Sequence, residues 1–349
     1  MAKKTIGVLT GGGDCPGLNA AIRAVVRKAL RADFNVVGVR RGWKGLMTKD
    51  VFPMDINSVS GILPKGGTIL GTSRTNPYKD DDSVKTAHAN FKEIGLHALV
   101  AIGGEDTLGA AAKLSRDGFP VIGVPKTIDG DLWGTDATIG FDTAANIATD
   151  AIDRLHTTAE SHNRVMVVEI MGRHAGWLAL QSGIAGGADI ILIPEFPVQA
   201  RDVADAVLKR HDRGKNFSIV VVSEGAKVEF ADTGEAEEVL RSRELDEFGH
   251  VALGGIGERV ATALRRLTKF DTRVTVLGHV QRGGAPTAWD RILATNLGVR
   301  AVELIEKGKS GRMSALVDGK FTDVPLEDVL GKLRLVPKEQ YDIAQVFFG

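Results

Sequence analysis

Short runs of apolar, mostly β-branched residues recur along the chain at 5–10, 35–40, 97–102, 121–124, 165–171, 188–194, 217–223 and 273–277. A strand with one wet face alternates apolar and polar residues, whereas a run that is apolar throughout needs both faces covered, as in a parallel sheet between layers of helix. Amphipathic stretches at 18–32, 108–115, 143–159, 203–211 and 291–306 fall between these runs. The alternation predicts an α/β fold built on parallel sheets. The segments before and after about Gly140 each hold enough strands for a sheet of their own, so two domains are expected in 349 residues. Residues 226–258, acid-rich around Glu235, Glu237 and Glu238, read as a surface insertion with a solvated helix face.

Charge narrows the possible partners. Lysine plus arginine and aspartate plus glutamate number 44 each, so no bulk positive field points to nucleic acid or an anionic membrane, and any anion site must be local. Cys15 is the single cysteine, which excludes an internal disulfide framework and a cysteine zinc cluster and fits a reducing, cytoplasmic setting. No apolar run reaches membrane-spanning length. Residues 1–4 lead straight into the first apolar run, which is too short for a signal peptide, so the N-terminus reads as mature structure.

Three strand-to-helix junctions carry candidate chemistry. Thr10-Gly11-Gly12-Gly13-Asp14-Cys15-Pro16-Gly17 follows a strand and opens a helix, where glycines let amides approach a phosphate and a helix N-terminus favours its charge. A tight turn without a ligand is the bland alternative. The spacing is neither G-x-G-x-x-G nor the G-x-x-x-x-G-K-[ST] loop. Gly103-Gly104-Glu105-Asp106-Thr107 again ends a buried strand. Asp106 or Thr107 there could simply cap the helix, while two adjacent carboxylates facing a phosphate call for Mg²⁺ or a lysine between them. In Pro125-Lys126-Thr127-Ile128-Asp129-Gly130-Asp131, an extended backbone would turn Thr127, Asp129 and Asp131 to one face and Lys126 to the other. A base, an acid that can face a metal and a hydroxyl then meet, which is nearly all that phosphoryl transfer asks of a protein; a plain polar turn is the alternative. Further on, Arg164, Met171-Gly172-Arg173, Ser223-Glu224-Gly225, Arg273 and Gly278-His279-Val280-Gln281-Arg282-Gly283-Gly284 place guanidinium forks near strand ends, where they could bind phosphate or serve only as salt-bridge partners.

In order along the chain, these residues resemble the phosphofructokinase family through its T-x-G-G-D-x-P-G-x-N, G-G-[DE]-x-[ST], T-I-D-x-D, M-G-R-x-x-G and G-H-x-Q-R-G-G elements. The resemblance implies two doubly wound three-layer α/β/α domains with the active site in the cleft between them. A larger donor-binding domain would comprise 1–140 plus 283–334, and a smaller sugar-phosphate domain 141–282 plus 335–349. It implies Mg²⁺-dependent, reversible phosphoryl transfer to the 1-hydroxyl of fructose 6-phosphate. Asp129 would be the general base, supported by Thr127 and Asp131. Arg173, Lys126 and the amides of Gly12 and Gly13 would act on the phosphoryl group. Glu105 would stand at the metal where the family has aspartate, and Arg74 and Thr107 would contact the donor. Met171, Gly172, Glu224 and Arg282 would hold the sugar phosphate, joined by Arg164, Arg273 and His279 at or across the boundary of a homodimer or homotetramer.

ATP-using members usually carry glycine at the position of Asp106, and many also at that of Lys126. Here a carboxylate and an ammonium fill that space, so the pair is similar to pyrophosphate-dependent members, with ATP as the alternative donor. Many members have asparagine where Gly130 stands. Diacylglycerol and NAD kinases also carry a G-G-D-G-[ST] element similar to 103–107, but that leaves 125–131 and 278–284 unexplained. A catalytically silent sugar-phosphate sensor is the other reading, opposed by the intact Asp129 and Arg173.

Overall fold

The computed structural model describes residues 3–348 apart from 231–235, 238–239 and 243–251. Strand β1 (Thr5–Thr10) is buried from its second residue onward. Ile6 and Val8 enter the core shared with helix α1 (Leu18–Arg31), while Leu9 joins Trp43 and Leu46 on the opposite face. Around β1 lie β2 (Asn35–Val39), β3 (Val51–Met54), β4 (Leu96–Gly103), β5 (Val121–Pro125), β10 (Arg312–Val317) and β11 (Lys320–Pro325). They form one sheet in the order β11-β10-β5-β4-β1-β2-β3. Its interior pairs are parallel, as the apolar runs require, but both edges close with an antiparallel strand, β3 against β2 and β11 against β10.

The second sheet contains β6 (Val165–Ile170), β7 (Ile190–Leu192), β8 (Ser218–Ser223) and β9 (Thr272–Val276), in the order β9-β6-β8-β7. Every pair in it is parallel. All four strands come from the stretch between β5 and β10, so the chain leaves the first sheet, builds the second, and returns.

Helices cover the sheets. Beside α1 come α2 (Trp43–Thr48), α3 (Asp81–Glu93), α4 (Glu105–Arg116), α5 (Phe141–His162), α6 (Trp177–Ala185), α7 (Ala200–Asp212), α8 (Ile256–Thr268), α9 (Ala288–Glu306) and α10 (Lys338–Gln345). Helix α1 packs on α9, and Gly298 is what permits the approach: a Cβ there would lie 2.8 Å from Ala24 Cβ and 2.9 Å from Ala21 O. No helix among the described residues is long and apolar enough to cross a membrane.

The insertion expected at 226–258 is only partly described. Its backbone at Ala236–Glu237 pairs antiparallel with Val228–Glu229, so this part is strand and not a solvated helix face, and α8 already begins within the stretch. Residues 235 and 238 lie outside the described residues.

Candidate active site

In the first sheet the chain runs outward in opposite directions from neighbouring strands β1 and β4, and the carboxyl ends of such strands frame a crevice. The loop after β1 and the start of α4 after β4 meet there. A Cβ at Gly11 would stand 2.5 Å from Thr107 Oγ1, and one at Gly103 would stand 2.3 Å from Thr107 Cβ. Thr107, 2% exposed, is therefore wedged between the two glycine segments. Gly12 adopts a left-handed φ of 76°. Its carbonyl accepts from Thr72 Oγ1 and its amide faces Ser73 O at 3.4 Å, so the loop bearing exposed Arg74 runs alongside.

Gly17, the cap of α1, is packed against Ile139 and Asp290; a Cβ there would meet Ile139 Cγ2 at 2.6 Å. The start of α4 also lies beside the loop. One expectation about helix ends is corrected: neither Asp106 nor Thr107 caps α4, because Gly104 occupies the cap without a side-chain bond, leaving Glu105 and Asp106 in the first turn, where their negative charge suits the helix dipole.

Lys126 bridges the gap between β5 and the β1 loop. It is 3% exposed, and its Nζ donates to Gly13 O and lies 3.5 Å from where a Cβ on Gly12 would be. Burial pushes its ammonium below the ordinary lysine range. The following residues do not stay extended. Asp129 N donates to Thr127 Oγ1 at 3.1 Å, the chain bends at Ile128 and Asp129, and Gly130 takes a left-handed φ of 68°. The expected alternation of faces at Thr127, Asp129 and Asp131 is thus replaced by a turn. Glycine suits that conformation, and asparagine is among the few other residues that tolerate it.

The turn carries Asp129 inward. Its Oδ1 is buried without a hydrogen-bond partner, and burial pushes its carboxyl upward against the pull of Arg282, Arg173, His174 and Lys126. Asp131 is pushed up to about 7 by burial, then by the charge of Asp129, with Glu105 and Asp106 adding to it. Four carboxylates therefore act on one small region. Among the described residues no His, Cys, Asp and Glu side chains group in threes to hold a metal by themselves.

The second sheet supplies the opposing wall from the carboxyl ends of β6 and β8. Gly172 N donates to Glu224 Oε1 at 3.4 Å, Ser223 Oγ donates to Gly172 O at 2.7 Å, and Met171 N donates to Gln281 Oε1 at 3.3 Å. Burial and the charge of Asp129 push Glu224 up to about 7. Arg282 reaches furthest across, donating from Nη1 to Asp14 O at 3.2 Å; a Cβ on Gly13 would stand 2.5 Å from that nitrogen.

Gly12, Gly13, Lys126, Asp129, Asp131, Met171, Gly172, Arg173, Glu224 and Arg282 are thus drawn together along this crevice. Arg164 and Arg273 are not. They lie at the opposite, amino-terminal ends of β6 and β9 and share Asp271, with Arg164 Nε 2.6 Å from Oδ2 and Arg273 Nη2 3.3 Å from Oδ1. His279 is exposed in the 3₁₀ turn Gly278–Arg282.

Trp177 and Arg334, which border the turn at 127–131, carried no motif to find them by. Cys15 is enclosed, its Sγ donating to Ile139 O at 3.4 Å and its thiol pushed up to about 12 by burial, which keeps it from acting as a nucleophile.

Comparison with known proteins adds a family match and close relatives. The family model described as "Phosphofructokinase" matches residues 5–305. The pyrophosphate–fructose 6-phosphate 1-phosphotransferase of Amycolatopsis methanolica is 54% identical over 99% of both chains. The ATP-dependent 6-phosphofructokinase of Corynebacterium efficiens is 47% identical over the full length of both. The solved T-state phosphofructokinase of Pichia pastoris superposes with a TM-score of 0.84 at 32% identity over 99% of this chain, which spans 36% of that longer one.

Proposed function

The chain belongs to the phosphofructokinase family, and from that premise we infer that it transfers a phosphoryl group from pyrophosphate to the 1-hydroxyl of fructose 6-phosphate. The observation that carries the chemistry is Asp129. A buried carboxylate oxygen with no protein donor, ringed by cations, is poised to accept a proton from a bound hydroxyl.

As that proton passes to Asp129, the sugar oxygen attacks the transferring phosphorus, the bridging P–O bond of pyrophosphate breaks to release phosphate, and charge spreads over the transferring group. Arg173, Arg282 and the Gly12–Gly13 amides would stabilise that charge, with Lys126 holding the donor. Glu105, in the first turn of α4 and near enough to Asp131 to push its carboxyl up, would hold a Mg²⁺, an ion commonly bound by one or two carboxylates alongside substrate phosphates. When bound, Mg²⁺ would neutralise donor charge next to the acidic first turn of α4.

Pyrophosphate is favoured over ATP by Asp106, whose carboxylate would crowd and repel an α-phosphate, and by Lys126, buried beside Gly12 and Gly13, which would hold pyrophosphate. The 54% identical relative carries the pyrophosphate name, and ATP-dependent relatives follow at 47–49%. The same proposal includes the division into 1–140 plus 283–334 and 141–282 plus 335–349, a cytoplasmic location, and a homo-oligomer in which Arg164, Arg273 and His279 of a neighbour complete the sugar-phosphate site.

The test is the initial rate of fructose 1,6-bisphosphate formation with pyrophosphate and with ATP. Wild type should prefer pyrophosphate, and Asp106→Gly combined with Lys126→Gly should move the ratio toward ATP. An ATP preference in wild type would overturn the donor assignment, and silence with both donors the reaction itself.

A further inference from the structure

After β11 the chain crosses a third time between the two sheets, and this C-terminal strap touches the loop that carries Asp129. Leu333 bridges Leu132 in antiparallel fashion. Arg334 then makes two successive carbonyl contacts just past the base: its N donates to Asp131 O at 2.8 Å and its Nη1 to Gly130 O at 3.1 Å. The same guanidinium sits 4.1 Å above the ring of Trp177, whose Nε1 donates to Arg334 O at 2.7 Å. Trp177 begins α6, directly after the segment bearing Arg173, and its Cβ would lie 3.5 Å from a Cβ on Gly130.

One step further along, Glu195 accepts from Val336 N at 2.9 Å and from Gly176 N at 3.0 Å, fastening the strap to the same turn. Its far end is pinned by Tyr341, which donates to Ile191 O at 2.8 Å and stacks on Phe196 at 4.7 Å.

Asp129 Oδ1 has no hydrogen bond of its own, so the position of that oxygen depends on the backbone of the loop. Of the two carbonyls that follow it, that of Gly130 is held from outside by a side chain resting on the opposite wall, and that of Asp131 by the backbone amide of the same residue. We propose that Arg334 is a positioning residue for the transfer reaction, its guanidinium fixing the Asp129 turn at a set distance from the Arg173 segment by clasping the Gly130 carbonyl while seated on Trp177. This rests on the reading of Asp129 as the base. Misplacement of a reacting group by about 1 Å can cost on the order of 100-fold in rate, so a clasp of this kind acts on turnover more than on substrate binding. Lysine cannot replace it, because an ammonium lacks the planar face that stacks and the fork that reaches a carbonyl at the same time.

Steady-state rates with fructose 6-phosphate and pyrophosphate, for wild type, Arg334→Ala and Arg334→Lys, test this. Arg334→Ala should lose about 100-fold in kcat with KM for the sugar within about threefold. Guanidinium ion at low millimolar concentration should restore part of that kcat in Arg334→Ala and none in wild type. Should Arg334→Ala fail to fold, an approximately tenfold lower kcat in Arg334→Lys, with KM retained, supports the positioning role in its place. An active wild type with kcat unchanged in either variant, or a loss shared by kcat and KM that guanidinium leaves untouched, overturns the positioning role alone. A wild type silent with both donors overturns the reading of the site and this role with it.

Discussion

Burial withholds water from Asp129 Oδ1 while Arg282, Arg173, His174 and Lys126 surround it with positive charge. Because desolvation is the larger influence, the acid limb of kcat should lie above the ordinary carboxylate range. Asp129→Asn should lower kcat by about two to four orders of magnitude with sugar-phosphate affinity nearly retained, as isothermal titration would show. Undiminished turnover would remove Asp129 from the role of base. Glu224 makes a second, thermodynamic prediction. Its carboxyl is pushed from an ordinary 4.5 up to about 7, so between those values the folded chain holds a proton that the unfolded chain has released. Stability therefore falls as pH rises through that window, by about 3 kcal/mol for this group, with no penalty below it and the full penalty above. Glu224→Gln should narrow the difference between urea midpoints at about pH 5 and about pH 8; an unchanged difference would assign the slope to other groups. Asp129 was legible in the sequence because it sits in the T-I-D-x-D motif, and Glu224 because it directly follows an apolar run. The environment of Asp129 was not, since it depends on Arg282 returning from more than a hundred residues away.

Among the elements, the buried parallel strands were the most legible, because a strand covered on both faces has no polar alternation to blur it. Two of the missed elements carry no such signature. Helix α3 is polar and buries only Ser83, Ala87, Asn90 and Phe91, and its start is fixed by Asp80 accepting from Ser83 N at 2.7 Å. Helix α6 is so largely apolar that no stripe stands out. The turn at 127–131 was read as extended because nothing local distinguishes a strand continuing from one ending in a left-handed glycine. How one helix starts can depend on another: Asp290 in α9 accepts from Gly140 N at 2.8 Å, Thr143 N at 2.9 Å and Thr143 Oγ1 at 2.5 Å, and so caps α5 from a distance. Asp290→Ala would leave these donors buried and unpaired. It should lower stability by about 3 kcal/mol in urea unfolding, and a loss below about 0.5 kcal/mol would mean that water replaces the carboxylate.

Across the whole molecule, the stretch from β9 to the second turn of α9 leaves Val276, Val280, Trp289 and Ile292 exposed at 55%, 62%, 48% and 57%, close in sequence to Arg273 and His279. Apolar side chains on an edge strand and its continuation suit burial against a second copy. Val280→Glu should reduce the proposed homo-oligomer in sedimentation and raise KM for fructose 6-phosphate together. Dissociation with unchanged KM would separate assembly from the sugar site. The order of strands also sets a timetable. β5 finds its second neighbour only in β10, which is made after every strand of the second sheet. On the ribosome, the sheet begun first is therefore finished last. Until β10 emerges, β5 presents a raw hydrogen-bonding edge, and this is the interval in which a nascent chain has most to gain from a chaperone.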